Sequence, residues 1–399
     1  MKGLRWAGVT GAATALLAAT AWLAGCKGFW DAPPGTGGGG TASGAFYVMN
    51  AGRTQVAGFA FASGSSTPSA ISGGSSTFVD TPLAMAIAPG GGFLYVSTTG
   101  GIFAFSISST GALTVLNTNA AISADAATEM AVDGTGAWLV ESIGGTGILS
   151  AVPIDASTGI IDSTRTLQTV NLPNTNLNGI AVSPANSNVP YVFAAMGVGG
   201  TEAIPFSAAS TGNPFGTLAN IKAKNQTTGG ASAIAVDPSN RLLYVGEIAA
   251  LSGTQSGGLR VFTIGSSSIN EVTGSPYLTA GTGPSAILPS RDGNFVYVAN
   301  KAVSGATAGN ITGYPINSTG GAYSLGTLIN TIAAGTGTVG LAEDNTGTYV
   351  LAVNASNNNS SPDLSTYTFD ATTSGKLVVG ATASTGTDPA QAIAIVAVP

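Results

Sequence analysis

The chain has 399 residues, of which 44% are hydrophobic and only 8% charged, and it contains 58 glycines, one cysteine and no histidine. Its 12 basic and 18 acidic residues leave a net charge of −6. This balance argues against nucleic acid as a partner, because a basic patch is needed to neutralise phosphates. The lack of histidine excludes Ser-His-Asp and Cys-His nucleophile systems and His-based zinc sites.

The N-terminus has the organisation of an export signal over residues 1–25. Lys2 and Arg5 precede an apolar run at 6–23, and the sequence Leu-Ala-Gly then leads into Cys26. A positive start, an apolar middle and a small-residue cleavage site are typical of secretory signals. The four residues Leu-Ala-Gly-Cys at 23–26 resemble the lipobox of bacterial lipoproteins, and this resemblance implies that Cys26 carries the lipid. An ordinary signal peptide or an uncleaved membrane anchor is the alternative.

Residues 26–44 are predicted to be a tether between the lipid and the folded domain. This segment contains Pro33, Pro34 and four consecutive glycines, which do not favour regular structure. Removal of residues 1–25 leaves ten basic and 18 acidic residues, a net charge of −8, and with Cys26 acylated no disulfide can form. Lys27 stands where inner-membrane lipoproteins commonly have Asp, so we expect an envelope protein anchored to the outer membrane.

A repeat of about 50 residues runs through the rest of the chain. The repeated element is an aromatic residue followed by a large or β-branched apolar residue. The aromatic residues are Tyr47, Tyr95, Trp138, Tyr191, Tyr244, Tyr297 and Tyr349. The spacings of 48, 43, 53, 53, 53 and 52 residues fit the blades of a β-propeller and exceed most solenoid repeats. The repeat therefore predicts seven blades.

Each repeat unit is predicted to contain four strands. The first consists of small and β-branched residues, as expected where strands crowd around an axis, and is predicted at 84–87, 130–132, 179–182, 233–236, 286–288 and 340–342. The aromatic residue marks the second strand. A third strand of alternating apolar residues, such as 259–264, precedes a Thr-Gly or Ser-Gly turn and a weaker fourth strand.

The seventh unit is divided between the two ends of the sequence. Residues 46–49 resemble a second strand without a first, and 390–398 resemble a first strand without the rest. Pairing them in one split blade closes the ring and leaves no open sheet edge. The prediction is an all-β, seven-bladed propeller of four-stranded antiparallel blades over residues 45–399, as one domain. A transmembrane barrel or a β-helix fits neither the long period nor the complementary ends.

Two segments carry a resemblance to a known family. Residues 237–245 read Asp-Pro-Ser-Asn-Arg-Leu-Leu-Tyr-Val, and residues 294–300 read Asn-Phe-Val-Tyr-Val-Ala-Asn. They resemble YVTN-repeat, lactonase-like propellers, a group that includes propeller-type 6-phosphogluconolactonases. The resemblance covers 45–399 and implies the fold, with lactone hydrolysis as an activity. Such relatives are thought to use acidic and basic loop residues, sometimes with a His that this chain lacks, so no catalytic residue is transferred and no cofactor or metal is expected.

A candidate binding rim follows from the position three residues after each aromatic. That position is expected where the second strand ends, on the face with the loops between second and third strands. Its occupants are Asn50, Thr98, Glu141, Ala194, Glu247, Asn300 and Ala352. We select Asn50, Glu141, Glu247 and Asn300, with the adjacent Lys301, as the predicted rim. The alternative is that these polar residues only solvate surface loops.

The sequence favours a non-catalytic binding or interaction scaffold on the cell envelope. It is expected to be a monomer, held to the membrane by its lipid, with a protein, glycan or small molecule as ligand. The alternative function is a lactone hydrolase at the mouth of the channel. A phosphorylated sugar lactone is a poor match for that alternative, since it is cytosolic and its phosphate calls for clustered Arg or Lys.

The lipid anchor is testable by one substitution. Cys26→Ser should abolish incorporation of labelled palmitate and leave the protein unprocessed or released, because the thiol is the only atom that can carry the diacylglycerol. Unchanged labelling in the variant would rule out lipidation at Cys26.

Overall fold

The computed structural model describes residues 44–399 except 186, 222–229, 251–255, 267, 304–307, 356–361 and 387–390. The signal peptide, Cys26 and nearly all of the predicted tether therefore lie outside the described residues. Within the described part, no helix has the length and hydropathy of a membrane span.

The described residues form seven antiparallel sheets, numbered here as blades 1 to 7. The first strands, in order from blade 1, are Ala392–Ala397, Pro82–Ile87, Ala127–Val132, Gly179–Val182, Ala231–Val236, Thr282–Pro289 and Thr338–Glu343. The second strands are Phe46–Asn50, Phe93–Thr98, Trp138–Ile143, Tyr191–Ala195, Leu242–Ala250, Phe295–Ala302 and Tyr349–Asn354.

The third and fourth strands complete each blade outward. The third strands are Gln55–Phe61, Gly101–Ile107, Ile148–Pro153, Thr201–Pro205, Ser256–Ile264, Ala308–Thr319 and Leu364–Phe369. The fourth strands are Pro68–Ala70, Leu113–Val115, Gln168–Asn171, Ala219–Ile221, Ile269–Glu271, Ala322–Leu325 and Leu377–Ala383. Additional pieces Ser76–Thr77, Tyr277–Leu278 and Asn330–Thr336 pair with third strands, and two short 3-10 turns lie at Ala51–Arg53 and Asn117–Asn119.

The blades form a closed ring around their first strands. The first strand of each blade contacts the first strand of the next, and that of blade 7 contacts that of blade 1. Because strand direction alternates, loops joining second to third strands and loops joining successive blades share one face, named here the upper face. The other connections form the lower face. The predicted seven-bladed fold is confirmed.

The split blade is built as the sequence predicts. Phe46 to Asn50 pairs on one side with the C-terminal strand Ala392–Ala397 and on the other with Gln55–Phe61. Ile395 and Val398 are buried, and Ile393 and Val396 are partly buried. The two ends of the domain therefore share one hydrophobic core with the neighbouring blades.

Aromatic side chains of the second strands connect each blade to the next. In five blades the ring hydroxyl or indole N–H donates a hydrogen bond to a carbonyl in the turn between third and fourth strands of the following blade. The pairs are Tyr47 to Gly111 (2.7 Å), Trp138 to Ala208 (3.0 Å), Tyr191 to Gly265 (3.3 Å), Tyr297 to Gly375 (2.8 Å) and Tyr349 to Ser65 (2.8 Å). These bonds satisfy polar atoms that burial would otherwise leave unpaired.

The aromatic repeat does not occupy one structural position in all blades. A backbone hydrogen bond closes the turn between the first and second strands of each of these blades. Its acceptor is the carbonyl of an aromatic residue in three blades, namely Trp138, Tyr191 and Tyr349, but that of Leu242 in blade 5. Tyr244 lies two residues further along its strand. The three aromatics are therefore offset by two residues, which keeps the ring on the same side of the strand.

Deletion of residues 389–399 should open the ring and give insoluble or molten protein. Each fully buried aliphatic side chain contributes about 1.5–3 kcal/mol, so losing this strand removes a large part of a typical stability of about 5–15 kcal/mol. Circular dichroism melting measures the effect, and deletion of Pro399 alone is the matched control. An unchanged transition in the longer deletion would contradict the role of this strand in closing the ring.

Candidate functional site

A β-bulge recurs in the first strands of the blades, close to the end of the second strand that pairs with each of them. In six blades one residue of the second strand is the first to pair beyond this bulge; these residues are Asn50, Thr98, Ile143, Glu247, Asn300 and Asn354. Five of the six are polar, and all five are at most 2% exposed. The bulge position is thus a buried polar position rather than an exposed one.

The asparagines at this position hold the connection that arrives from the preceding blade. Asn300 Nδ2 donates to the Thr279 carbonyl at 2.9 Å. Asn354 Oδ1 accepts from the Gly335 amide at 3.1 Å. In blade 1, Thr385 Oγ1 donates to Asn50 Oδ1 at 2.9 Å. These contacts give two predicted rim residues, Asn50 and Asn300, a structural role on the upper face.

Glu247 occupies the same position in blade 5 as part of a buried charged network. Its Oε2 accepts from the Gly230 amide at 2.9 Å, and its Oε1 lies 3.7 Å from Arg260 Nε. Arg260 Nη1 also binds Glu271 Oε1 at 2.7 Å, and Ser275 donates to that same oxygen. The network joins three strands of the blade, with Glu247 2% exposed.

Glu141 does not share the position of Glu247, which corrects the sequence-based alignment. It pairs with Met130 two residues before the strand end, where Ile143 occupies the bulge position. Glu141 is 1% exposed, and its two oxygens have no hydrogen-bond donor among the described residues. Burial, reinforced by the neighbouring Asp125 carboxyl, raises the pKa of Glu141 to about 8.

Lys301 is the one exposed member of the predicted rim. It follows Asn300, so its side chain leaves the opposite side of the strand. In sequence, residues 251–255, 304–307 and 356–361 follow the second strands of blades 5, 6 and 7, and they lie outside the described residues. Whether the five predicted rim residues contact a ligand therefore stays a prediction, and four of the five are buried.

Glu129, which the sequence reasoning missed, lies on the first strand of blade 3 beside the channel. It pairs with Ser142, immediately before the bulge. The corresponding residues of the other blades are all Ala or Gly, namely Ala84, Gly179, Ala233, Ala286, Gly340 and Ala394. A carboxylate thus occupies one place in a ring of the smallest side chains.

The surroundings of Glu129 place it in an unusual electrostatic environment. Its side chain leaves the strand on the side of blade 4, because a Cβ at the equivalent Gly179 or Gly340 would meet the next blade. Since the first strands surround the central channel, we infer that the exposed end of Glu129 reaches the channel. The side chain is only partly exposed. Burial raises the pKa of Glu129 to about 7. A carboxyl group with a pKa near neutrality beside a channel is suited to proton transfer.

The signal that could have identified Glu129 is present in the sequence. The first strand of blade 3 was predicted from residue 130, whereas it begins at Ala127. Glu129 lies outside the predicted strand, so the aromatic repeat does not align it with the small residues of the other blades. Aligning all seven bulges, rather than the aromatic residues, would have revealed it.

A separate cleft of about 390 Å³ opens on the lower face between blades 6 and 7. Phe295, Phe369, Asp292 and Glu343 are among its lining residues. Glu343 Oε2 accepts from the Arg291 amide at 2.8 Å, and burial raises the pKa of Glu343. This cleft lies on the face opposite the predicted rim, and Ser290 and Asn294 hold its Asp292 carboxylate within a local turn.

Comparison with known proteins supports the fold and its family resemblance. Residues 50–177 match the family described as lactonase, 7-bladed beta-propeller. A candidate 6-phosphogluconolactonase from Bacteroides uniformis superposes with a TM-score of 0.64 at 16% identity, covering 89% of this chain and 99% of its own. A second candidate 6-phosphogluconolactonase, from Bacteroides fragilis, gives 0.65 at 14% identity, covering 89% and 97%.

A third similar structure is the periplasmic gluconolactonase of Pseudomonas aeruginosa, with a TM-score of 0.63 at 15% identity, covering 89% of this chain and 99% of its own. At such identities the likeness shows the fold alone. No curated protein matches the sequence. The protein is a seven-bladed β-propeller. Its resemblance to the lactonase-like propellers, inferred from the repeat, is confirmed by the match over 50–177.

The contrast between Asn300 and Lys301 gives a test of the buried polar position. Asn300→Ala should lower the free energy of unfolding by about 1–3 kcal/mol, because it removes one of the two donors to the Thr279 carbonyl and the donor to the buried Asn310 Oδ1. Lys301→Ala, one residue away and exposed, should change it by about 0.5 kcal/mol or less. Urea unfolding measures both. Equal effects would refute a structural role for this position.

Proposed function

We propose that this propeller hydrolyses lactones, with Glu129 as the general base in the channel. The observation that carries the proposal is the single carboxylate in a ring of Ala and Gly. Two further facts support it. Glu129 falls within the segment that matches the lactonase propeller family. Three structural neighbours also carry names of gluconolactonases or 6-phosphogluconolactonases.

The chemistry requires no histidine. A lactone is a cyclic ester, and ionised Glu129 takes a proton from a water molecule whose oxygen attacks the carbonyl carbon. The ring C–O bond then breaks, and the proton passes to the leaving alkoxide, which gives the hydroxy acid. A pKa near 7 suits both steps, because the group accepts and returns a proton at neutral pH.

The channel wall favours a neutral substrate. The described first strands contain no Lys or Arg, and their acidic residues are Glu129 and Glu343, which ends its strand at the lower face. A phosphorylated lactone would need cationic partners for its phosphate. The wall instead offers small and aliphatic side chains, such as Ile180 and Ile234, so the expected substrate is an uncharged sugar lactone or aliphatic lactone.

The proposal reverses the order of the two functions that the sequence favoured. The sequence favours a non-catalytic scaffold because the chain has no histidine, carries few charged residues and begins with a predicted lipid tether. Glu129 supplies an acid–base residue, and the buried positions of Asn50, Glu247 and Asn300 weaken the case for a polar binding rim. Binding without catalysis remains the alternative, and the experiment below separates the two.

We also propose that the enzyme acts in the cell envelope as a lipoprotein. The lipobox before Cys26 supports this, and one structural neighbour is named as a periplasmic gluconolactonase. The described chain begins at Gly44, whose amide donates to Asn345 Oδ1 at 2.7 Å in a turn of the lower face.

Glu129→Gln should abolish hydrolysis of neutral lactones by the full chain while leaving it folded. In the wild type, kcat/KM should rise with pH through about pH 7 and then level off, because only the ionised carboxylate accepts the proton. A panel containing a sugar lactone, its phosphorylated form and an aliphatic lactone, followed by pH-stat titration, measures both activity and substrate class.

Glu343→Gln is the matched control, since it removes a carboxyl of raised pKa from the first strand of blade 7 at the lower face. Its activity should equal that of the wild type. Turnover that is unchanged in Glu129→Gln would reject Glu129 as the base, and binding of lactone without turnover in the wild type would favour the non-catalytic function.

A further inference from the structure

A second group of carboxyls lies between blades 2 and 3, on the opposite side of blade 3 from Glu129. Glu141 lies two residues after Leu139, so both side chains project from the same side of the strand toward blade 2. The Asp125 carboxyl lies within hydrogen-bond reach of Glu141. Ser123 Oγ donates to Asp125 Oδ2 at 2.8 Å.

Blade 2 contributes hydroxyl groups at the same level. Ser97 pairs with Ile102, and Ile102 forms a β-bridge with Ser123. Residues directly opposite in antiparallel pairs share a face of the sheet. Ile102 belongs to the apolar cluster between blades 2 and 3. Ser97 and Ser123 therefore face blade 3, toward Glu141 and Asp125.

Three oxygen atoms in this group receive no hydrogen bond from an N–H or hydroxyl donor of the described residues. They are Ser97 Oγ and both carboxyl oxygens of Glu141, and the two residues are 0% and 1% exposed. Buried polar atoms are nearly always paired, and an exception calls for an ion, a water molecule or a proton. Two facing carboxyl groups make a positive partner the most favourable one.

We propose that Ser97, Ser123, Asp125 and Glu141 form a Ca²⁺ site between blades 2 and 3. Two carboxylates carry two negative charges, which one divalent cation neutralises. All four side chains offer the oxygen ligands that Ca²⁺ prefers in a flexible geometry. Mg²⁺ fits less well, because it retains several waters and Glu141 lies where water has little room. The described residues hold no larger cluster of His, Cys, Asp or Glu that would compete for the ion.

The position of the proposed site determines how the ion enters and which blades it connects. Ser123 and Asp125 are partly exposed, so a cation can reach Glu141 from the upper face. The connection that carries these two residues leads directly into the first strand of blade 3 at Ala127. The ion would therefore bind blade 2 to blade 3 independently of any reaction in the channel.

Calcium binding to the full chain tests the site after removal of divalent ions with a chelator. Isothermal titration with CaCl₂ should show one bound ion, and Ca²⁺ should raise Tm more than Mg²⁺ does, because it binds only the folded protein. Glu141→Gln and Asp125→Asn should each lower the affinity about tenfold or more. Ser97→Ala should lower it less, because one neutral ligand is lost.

Glu202→Gln serves as the control, since Glu202 is a buried carboxyl with a raised pKa in blade 4. Its affinity for Ca²⁺ should match the wild type. Absence of Ca²⁺ binding by the wild type would overturn the proposal. A higher Tm of Glu141→Gln than of the wild type would point the same way, because the buried carboxyl would then hold only a proton. If Glu141→Gln does not fold, Ca²⁺ affinity unchanged in both Asp125→Asn and Ser97→Ala would overturn it equally.

Discussion

The structure depends on the contact between an aromatic side chain of one blade and the outer turn of the next. A ring such as Tyr297 fills the layer between two blades and its hydroxyl binds the Gly375 carbonyl. The same turn must approach Phe295 closely, and a Cβ at Gly375 would lie 2.3 Å from that ring. Gly375 also has φ +72°, which few other residues adopt readily. One contact therefore determines blade spacing and turn composition.

This contact explains both the success and the error of the sequence reasoning. A buried ring every 50 residues or so is visible in the sequence, and with the complementary ends it was sufficient to predict seven blades and the split blade. Moving the ring by two residues, as at Trp138 and Tyr349, keeps it in the same layer and facing the same turn. Packing tolerates both registers, so the aromatic residue alone could not align the strand ends, and Glu141 was placed two residues out of position.

The β-bulge is a better reference than the aromatic residue for aligning the blades, because backbone pairing determines its position in the strand. It recurs in six blades, and in four of them the polar residue opposite it holds the connection from the preceding blade, as Asn354 does with Gly335. This role was not readable from sequence, since an Asn at a strand end is equally compatible with a solvated loop. Burial of these positions depends on loops that come from a different blade, which a local pattern does not contain.

Blade 3 differs from the other blades at two positions, where carboxyl groups replace small or apolar side chains. Glu129 stands where six blades have Ala or Gly, and Glu141 stands where an apolar residue such as Val96 or Val245 is buried. Each burial costs stability, because a carboxyl loses hydration that an alanine or valine never had. A propeller needs neither group to close its ring. Two such departures on opposite sides of one strand pair therefore favour function over packing as their origin, in keeping with the proton transfer proposed for Glu129 and the cation binding proposed for Glu141.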